Sequence, residues 1–156
     1  MESQLPASRP AKSARISIGE FDAILRESLP MMVAWGVETV ALEHGKATLR
    51  LAGRAAFLRP GGTVSGPVLM GLADVALYAA LLGAIGPVPL AVTSNLTINF
   101  LRKPGPGAIR AEAWILKLGR RLAVGEVQLF SGEEPEMVAH VISSYAIPDG
   151  GSSPPA

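Results

Sequence analysis

SGPVLMGLADVALYAALLGAIG, residues Ser65 to Gly86, is the stretch that decides the fold. Asp74 is its only ionisable group apart from the phenol of Tyr78. Val68, Leu69, Met70, Leu72, Ala73, Val75, Ala76, Leu77 and residues 79–82 leave no polar face. A helix apolar all round is one that other elements cover. Burying a carboxylate in it is costly unless the charge is paired or hydrogen-bonded. Two readings of Asp74 stand open on the helix alone. It is a candidate acid, base or nucleophile. Alternatively, it faces one wet edge or bonds a structural Ser, Thr or backbone N–H.

The same stretch is broken by Gly71, Asp74, Gly83 and the Gly86-Pro87 pair, so it reads as a buried helix and not a membrane span. Ser65 is a plausible N-cap, and Pro67 is tolerable in the first turn. Upstream, Ser17 and Glu20 make a capping-box pattern ahead of Phe21, Ile24, Leu25 and Leu29, predicting a helix over about 18–28 that Pro30 ends or kinks. Gly36 to Leu42 and Lys46 to Leu51 read as a hairpin around Glu43-His44-Gly45, and Arg59-Pro60-Gly61-Gly62 reads as a loop.

Downstream, Val92 to Phe100 alternates with period two, the pattern of a half-buried strand. Ile109 to Leu118, Leu122 to Phe130 and Met137 to Ile147 follow as strands, with Gly125 expected at a bulge or bend. One helix apolar on all sides needs cover on all sides, and a curved sheet supplies it. The expectation is an α+β fold, a long antiparallel sheet wrapped around a central helix. One domain over 16–147 is expected, between disordered tails at 1–15 and 148–156 rich in Pro and small polar residues.

Composition narrows the function. The chain has 156 residues, 49% of them hydrophobic and 17% charged, against roughly 25% charged in an average globular chain. That much apolar content points to a deep core together with a subunit interface. A net charge of +1 and only 5% aromatics argue against nucleic-acid binding by bulk charge. With no Cys there is no disulfide, Cys-zinc site or Cys nucleophile. The N-terminus lacks the apolar core of a secretory signal, so a soluble cytoplasmic protein without a membrane segment is the default.

Three stretches in order resemble the hotdog-fold acyl-CoA thioesterases of the phenylacetate-pathway type. GTVSGPVLMGLAD, Gly62 to Asp74, is similar to the family's G-x-x-H-G-G-x-x-x-x-L-A-D. TSNLTINFLRKPGPG, Thr93 to Gly107, resembles the strand after the helix, and GRRLAVGEVQLF, Gly119 to Phe130, the late G-R-x-x-x-x-x-E-V strand. The resemblance spans about residues 34–147 and implies hydrolysis of an acyl-coenzyme A thioester. It implies that Asp74 attacks the carbonyl or activates water and that the Gly66 N–H polarises the carbonyl. Thr93 falls where a hydroxyl often orients the carboxylate or its water. Eight residues of helix separate Gly66 from Asp74, about 12 Å of rise, so two subunits must share one site. A homodimer or a dimer of dimers is expected.

The sequence departs from the pattern at Ser65, where the family has His, and at Pro67, where it has a second Gly. Ser65 is either a carbonyl-bonding hydroxyl or a plain N-cap. Arg59 stands where several relatives carry a polar residue before the His. Arg102, Arg120 and Arg121, with Lys103 nearby, are either solvated loop charges or a grip on the coenzyme A phosphates, for which the Arg fork is suited. Tyr78 is read as a pocket wall, Trp35 and Trp114 as core or interface. His44 and His140 lack metal-ligand spacing, so neither a metal nor a cofactor is implied, coenzyme A being part of the substrate. A hotdog dehydratase would need a His near the helix. The rival from another class is a non-enzymatic acyl-ligand binding protein on the same fold.

Overall fold

The structure is a computed structural model that describes residues 12–149. The tail expectations for 1–11 and 150–156 lie outside the described residues. At its inner end the N-terminal segment is already tied down, since the Arg15 N–H donates to the Gly83 carbonyl at 2.8 Å and Ile16 is buried.

Helix α1 runs Ile18–Ser28. Its capping box is reciprocal: the Glu20 N–H donates to Ser17 Oγ at 3.1 Å and the Ser17 N–H to Glu20 Oε2 at 2.6 Å. Pro30 ends α1 as expected, but it also opens a second helix that the sequence reading lacks, α2, Pro30–Trp35. Pro stands at its first position, where its missing N–H costs nothing. Gly36, expected as the first strand residue, is instead the left-handed C-cap of α2, with φ 77°.

Strands β1 (Val37–Glu43) and β2 (Lys46–Leu51) form the expected hairpin, closing on the pair Glu43 and Lys46. The 59–62 loop is a correction in part. Leu58–Arg59 and Thr63–Val64 pair as two short strands, β3 and β4, around the Pro60–Gly62 turn. Helix α3 then runs Gly66–Ile85, buried on almost every side. By length and composition it is apolar enough to cross a membrane, but most of it is covered by the rest of the fold.

Four long strands follow: β5 (Val92–Phe100), β6 (Ile109–Leu118), β7 (Leu122–Ser131) and β8 (Met137–Ala146). They complete a six-stranded antiparallel sheet in the order β1-β2-β6-β7-β8-β5. This is the predicted α+β hotdog arrangement. The sheet grips α3 with its inner face, through Leu49, Ala111, Ala113, Val127, Leu129, Ala139 and Val141. Among the described residues β5 lies at one edge of the sheet, paired only to β8.

Gly125 is a second correction. The irregularity beside it lies in β6, between Ile115 and Lys117, while β7 runs through Gly125 in register. A Cβ at Gly125 would run into the Leu77 side chain and stand 2.7 Å from the Trp114 carbonyl. The residue is Gly because the helix packs directly on the strand there. Trp114 itself lies half-buried, paired with Lys46 and Glu126 across the sheet, and Trp35 packs against Phe57 with ring centroids 5.6 Å apart.

Candidate active site

Asp74 sits mid-way along α3 and is half-buried, at the inner end of a stripe of that helix that also carries the exposed Pro67 and Met70. Two hydroxyls converge on it. Thr93 Oγ1 donates to Asp74 Oδ1 at 2.6 Å, and Tyr145 Oη donates to the same oxygen at 2.7 Å, with the Asp74 carbonyl 2.9 Å away. Thr93 is aimed there by local structure. It pairs with Tyr145 across β5 and β8, and the register shifts immediately after it, between Thr93 and Asn95. A bulge of this kind re-aims a side chain.

Oδ2 accepts no hydrogen bond among the described residues. Asp74 is half-buried, and among the described residues Oδ2 is not a buried atom left without a partner, so it is not sealed into the core. The carboxylate is thus held by one oxygen and free at the other. The two structural alternatives raised for Asp74, a wet edge and a bond to Thr, are both present in this geometry. They describe a carboxylate that is anchored and accessible together.

Tyr145 went unnoticed in the sequence. Period-two alternation along β8 turns Ala139, Val141, Ser143 and Tyr145 inward. A Tyr among small inward residues must find a partner for its hydroxyl, which is the one signal available. Burial pushes the Tyr145 phenol above the ordinary tyrosine range, and the Asp74 charge adds to this. Burial also pushes Tyr78 up, to about 12. Tyr78 stacks on Tyr145 and donates to the Pro89 carbonyl at 3.0 Å; expected as a pocket wall, it lies in the core and lines neither the cavity at Gly66 nor that at Arg120.

Gly66 opens α3, where the first N–H groups have no helical acceptor. The helix dipole adds partial positive charge at the same point. Ser65 occupies the N-cap by backbone geometry, but its side chain makes no capping bond. The N-cap position expected for Ser65 is therefore met without a side-chain bond, and Pro67 at the second helical position removes one of the two N–H groups such a bond could use. A cavity of about 400 Å³ lies at this end, lined among others by Arg59, Gly66, Leu69, Phe100, Arg102 and Lys103. Asp74 is not in its wall. Arg59 and Lys103 thus share a cavity wall with Gly66.

The three predicted arginines are not brought together within one chain. Arg102 follows the C-terminal end of β5, where its Nε meets Glu136 Oε2 at 2.9 Å. Arg120 and Arg121 lie in the β6–β7 turn near the start of β5, because the Ile147 N–H donates to the Arg121 carbonyl and Ala146 pairs with Val92. Arg121 pairs with Asp149 at 2.6 Å, and Arg120 lines a second cavity of about 320 Å³. His44 lies in the β1–β2 turn, and His140 meets Glu126 at 3.3 Å on the sheet face away from α3. Among the described residues no cluster of His and acidic groups could hold a metal.

The family model that matches the chain is that of the thioesterase superfamily, over residues 61–138. A crystal structure of a candidate thioesterase from a Silicibacter species is 40% identical, covers 89% of this chain and 96% of its own, and superposes with a TM-score of 0.79. A variant of the phenylacetic acid degradation protein PaaI of Thermus thermophilus is 31% identical over 76% of this chain and 98% of its own, with a TM-score of 0.68. A candidate esterase of Saccharolobus solfataricus is 29% identical over 71% of this chain and 78% of its own length.

Proposed function

Since the chain belongs to the thioesterase superfamily and is a thioester hydrolase, we propose that its substrate is an acyl-coenzyme A and that Asp74 is its acting carboxylate. The observation that carries this reading is the asymmetric hold on Asp74, with Oδ1 bonded and Oδ2 open. Acting as base, Oδ2 takes a proton from water as the oxygen of that water bonds to the thioester carbon. Acting as nucleophile, it bonds to that carbon itself, and water then cleaves the mixed anhydride. In both routes the carbonyl oxygen gains charge, the C–S bond breaks, the thiolate leaves and a proton returns to sulfur. The Gly66 N–H, with the dipole of α3 behind it, stabilises the oxyanion. Ser65 Oγ, free of any capping duty, is a second donor to that oxygen.

Asp74 and Gly66 of one chain are about 12 Å apart along the helix. The reading therefore requires a partner subunit, and the edge of β5 suits one. Antiparallel pairing of two β5 edges about Leu96 sets the Thr93 end of one chain against the Phe100 end of the other. The Asp74 of each subunit then approaches the cavity at Gly66 of its partner. The same pairing brings Arg120 and Arg121 toward Arg102 and Lys103 of the other subunit. That would make one basic rim from arginines that lie apart within a chain. It fits the phosphates of coenzyme A, in a cytoplasmic homodimer or dimer of dimers.

The test is a panel of acyl-CoA thioesters with free-thiol detection. Release of thiol from at least one acyl class is expected, and binding without release would favour a non-enzymatic acyl-ligand protein. Arg120→Ala and Arg121→Ala should raise KM for acyl-CoA and leave a short pantetheine thioester nearly unaffected. Charge-assisted phosphate contacts are worth about 1.5–3 kcal/mol when well formed and less in solvent, so a rise of several-fold is the expected scale. Equal losses on both substrates would point to a structural role for the turn.

A further inference from the structure

We infer that Tyr145 is a positioning residue, which with Thr93 occupies Oδ1 of Asp74 and so assigns Oδ2 as the oxygen that meets water or the thioester. The inference rests on the reading of Asp74 as the acting carboxylate. A carboxylate oxygen has two lone pairs, and two donors at 2.6 and 2.7 Å use both on Oδ1. The carboxylate plane is thereby fixed, with Oδ2 presented on the accessible side.

A purely structural tyrosine would be explained by its ring alone. The ring of Tyr145 does pack, stacked on Tyr78 with centroids 6.0 Å apart and planes 20° from parallel. Its hydroxyl, however, goes to the only carboxylate of α3. The Asp74 carbonyl beside it lies in the helix interior, where it has an intrahelical N–H and needs no phenol. Thr93, the other donor, is locked by the bulge after it. Ser143 is 1% exposed, and its Oγ donates to the Asn95 carbonyl at 2.7 Å. Two strands thus each contribute one hydroxyl to the same oxygen.

The groups that bond Asp74 are Thr93 from β5 and Tyr145 from β8, and Tyr78, one turn along the same helix, stacks on Tyr145. Both phenols are pushed up by burial. They remain protonated through the neutral range, so Tyr145 is a permanent donor.

Hydrogen bonds donated to a carboxylate favour its charged form, so loss of the Tyr145 hydroxyl should disfavour it. Tyr145→Phe is expected to lower kcat by roughly 10- to 100-fold, the scale of a misplaced reacting group, with KM little changed. The acid limb of kcat/KM should move to higher pH. Thr93→Val should shift the limb the same way and Thr93→Ser should restore it. A measurement free of turnover runs beside these. The protein is labelled at its Asp carboxyl carbons, Asp74→Asn identifies the resonance, and its titration in Tyr145→Phe should move to higher pH. If Tyr145→Phe does not fold, fluorotyrosine decides. The chain has only 2 Tyr, so a Tyr78→Phe background carries the label at Tyr145 alone. A more acidic phenol should then move the limb and the carbon titration to lower pH. An unchanged limb and titration in Tyr145→Phe, or in the fluorotyrosine protein where that variant does not fold, would overturn the inference. Full activity of Asp74→Asn would instead overturn the reading of Asp74 and leave the carbon titration to report on the hold itself.

Discussion

Asp74→Asn should fold, melt at the wild-type temperature or above it, and lose roughly 10²-fold or more of kcat, the scale of general-base catalysis. The two halves of this expectation have separate causes. Asn fits the site because its carbonyl oxygen can take the place of Oδ1 and accept from both Thr93 and Tyr145. Its amide then stands where Oδ2 accepted no hydrogen bond among the described residues, so no buried group loses a partner. Removing the charge from a largely apolar helix also relieves its desolvation. The amide can neither take a proton nor attack as a carboxylate, and the chemical step fails. Thermal unfolding and thiol release on one preparation check both halves. Thr93→Ala loosens the carboxylate without removing it and should cost less. A folded Asp74→Asn with wild-type turnover would remove the proposed mechanism. A single turnover in heavy-oxygen water adds the remaining distinction, since label entering Asp74 marks it as the nucleophile.

The central helix and its sheet were legible because their signals are local. All-round apolarity over residues 66–85 and strict alternation over 92–100 dictate a covered helix and a half-covered strand. Asp74 stood out for the same reason, as a charge against an apolar background. What escaped the reading depends on context. Pro30 is a breaker for the helix before it and a starter for the helix after it, and one residue type cannot announce both. The β3 and β4 strands are two residues each, too short for periodicity. The reason for Gly125 is the Leu77 side chain, far away in sequence. Tyr145 is 71 residues from the carboxylate it holds, and only the register of β5 on β8 brings it there. The arginines were legible as a chemical type but not as a group. Nothing local tells that Arg102 and Arg121 lie at opposite ends of β5.

That opposite placement gives the second large effect its form. Gly66→Pro and Asp74→Asn should each be inactive alone, and subunits of the two refolded together should regain activity. Pro is tolerated at the first helical position and removes the one N–H proposed to bind the oxyanion; because Pro67 follows and disfavours the helical conformation before it, the melting curve of this variant is recorded beside its activity. The Phe100 ring lies 3.2 Å from where a Cβ would stand, so only the end of a side chain has to give. Loss of one such donor costs about 10²–10³ in kcat. In a two-fold dimer with shared sites, a mixed pair keeps one site with both wild-type groups and one with neither. Random pairing of equal amounts then restores roughly a quarter of wild-type activity, and a mixed dimer purified by two tags should show about half. If Asp74 and Gly66 served the same site within one chain, neither mixing nor purification would recover anything above the two parents. Sedimentation equilibrium sets the precondition. A lone 16.2 kDa species at micromolar concentration would end the shared-site mechanism, because one helix cannot bring its own first N–H and its own carboxylate eight positions later to the same carbon.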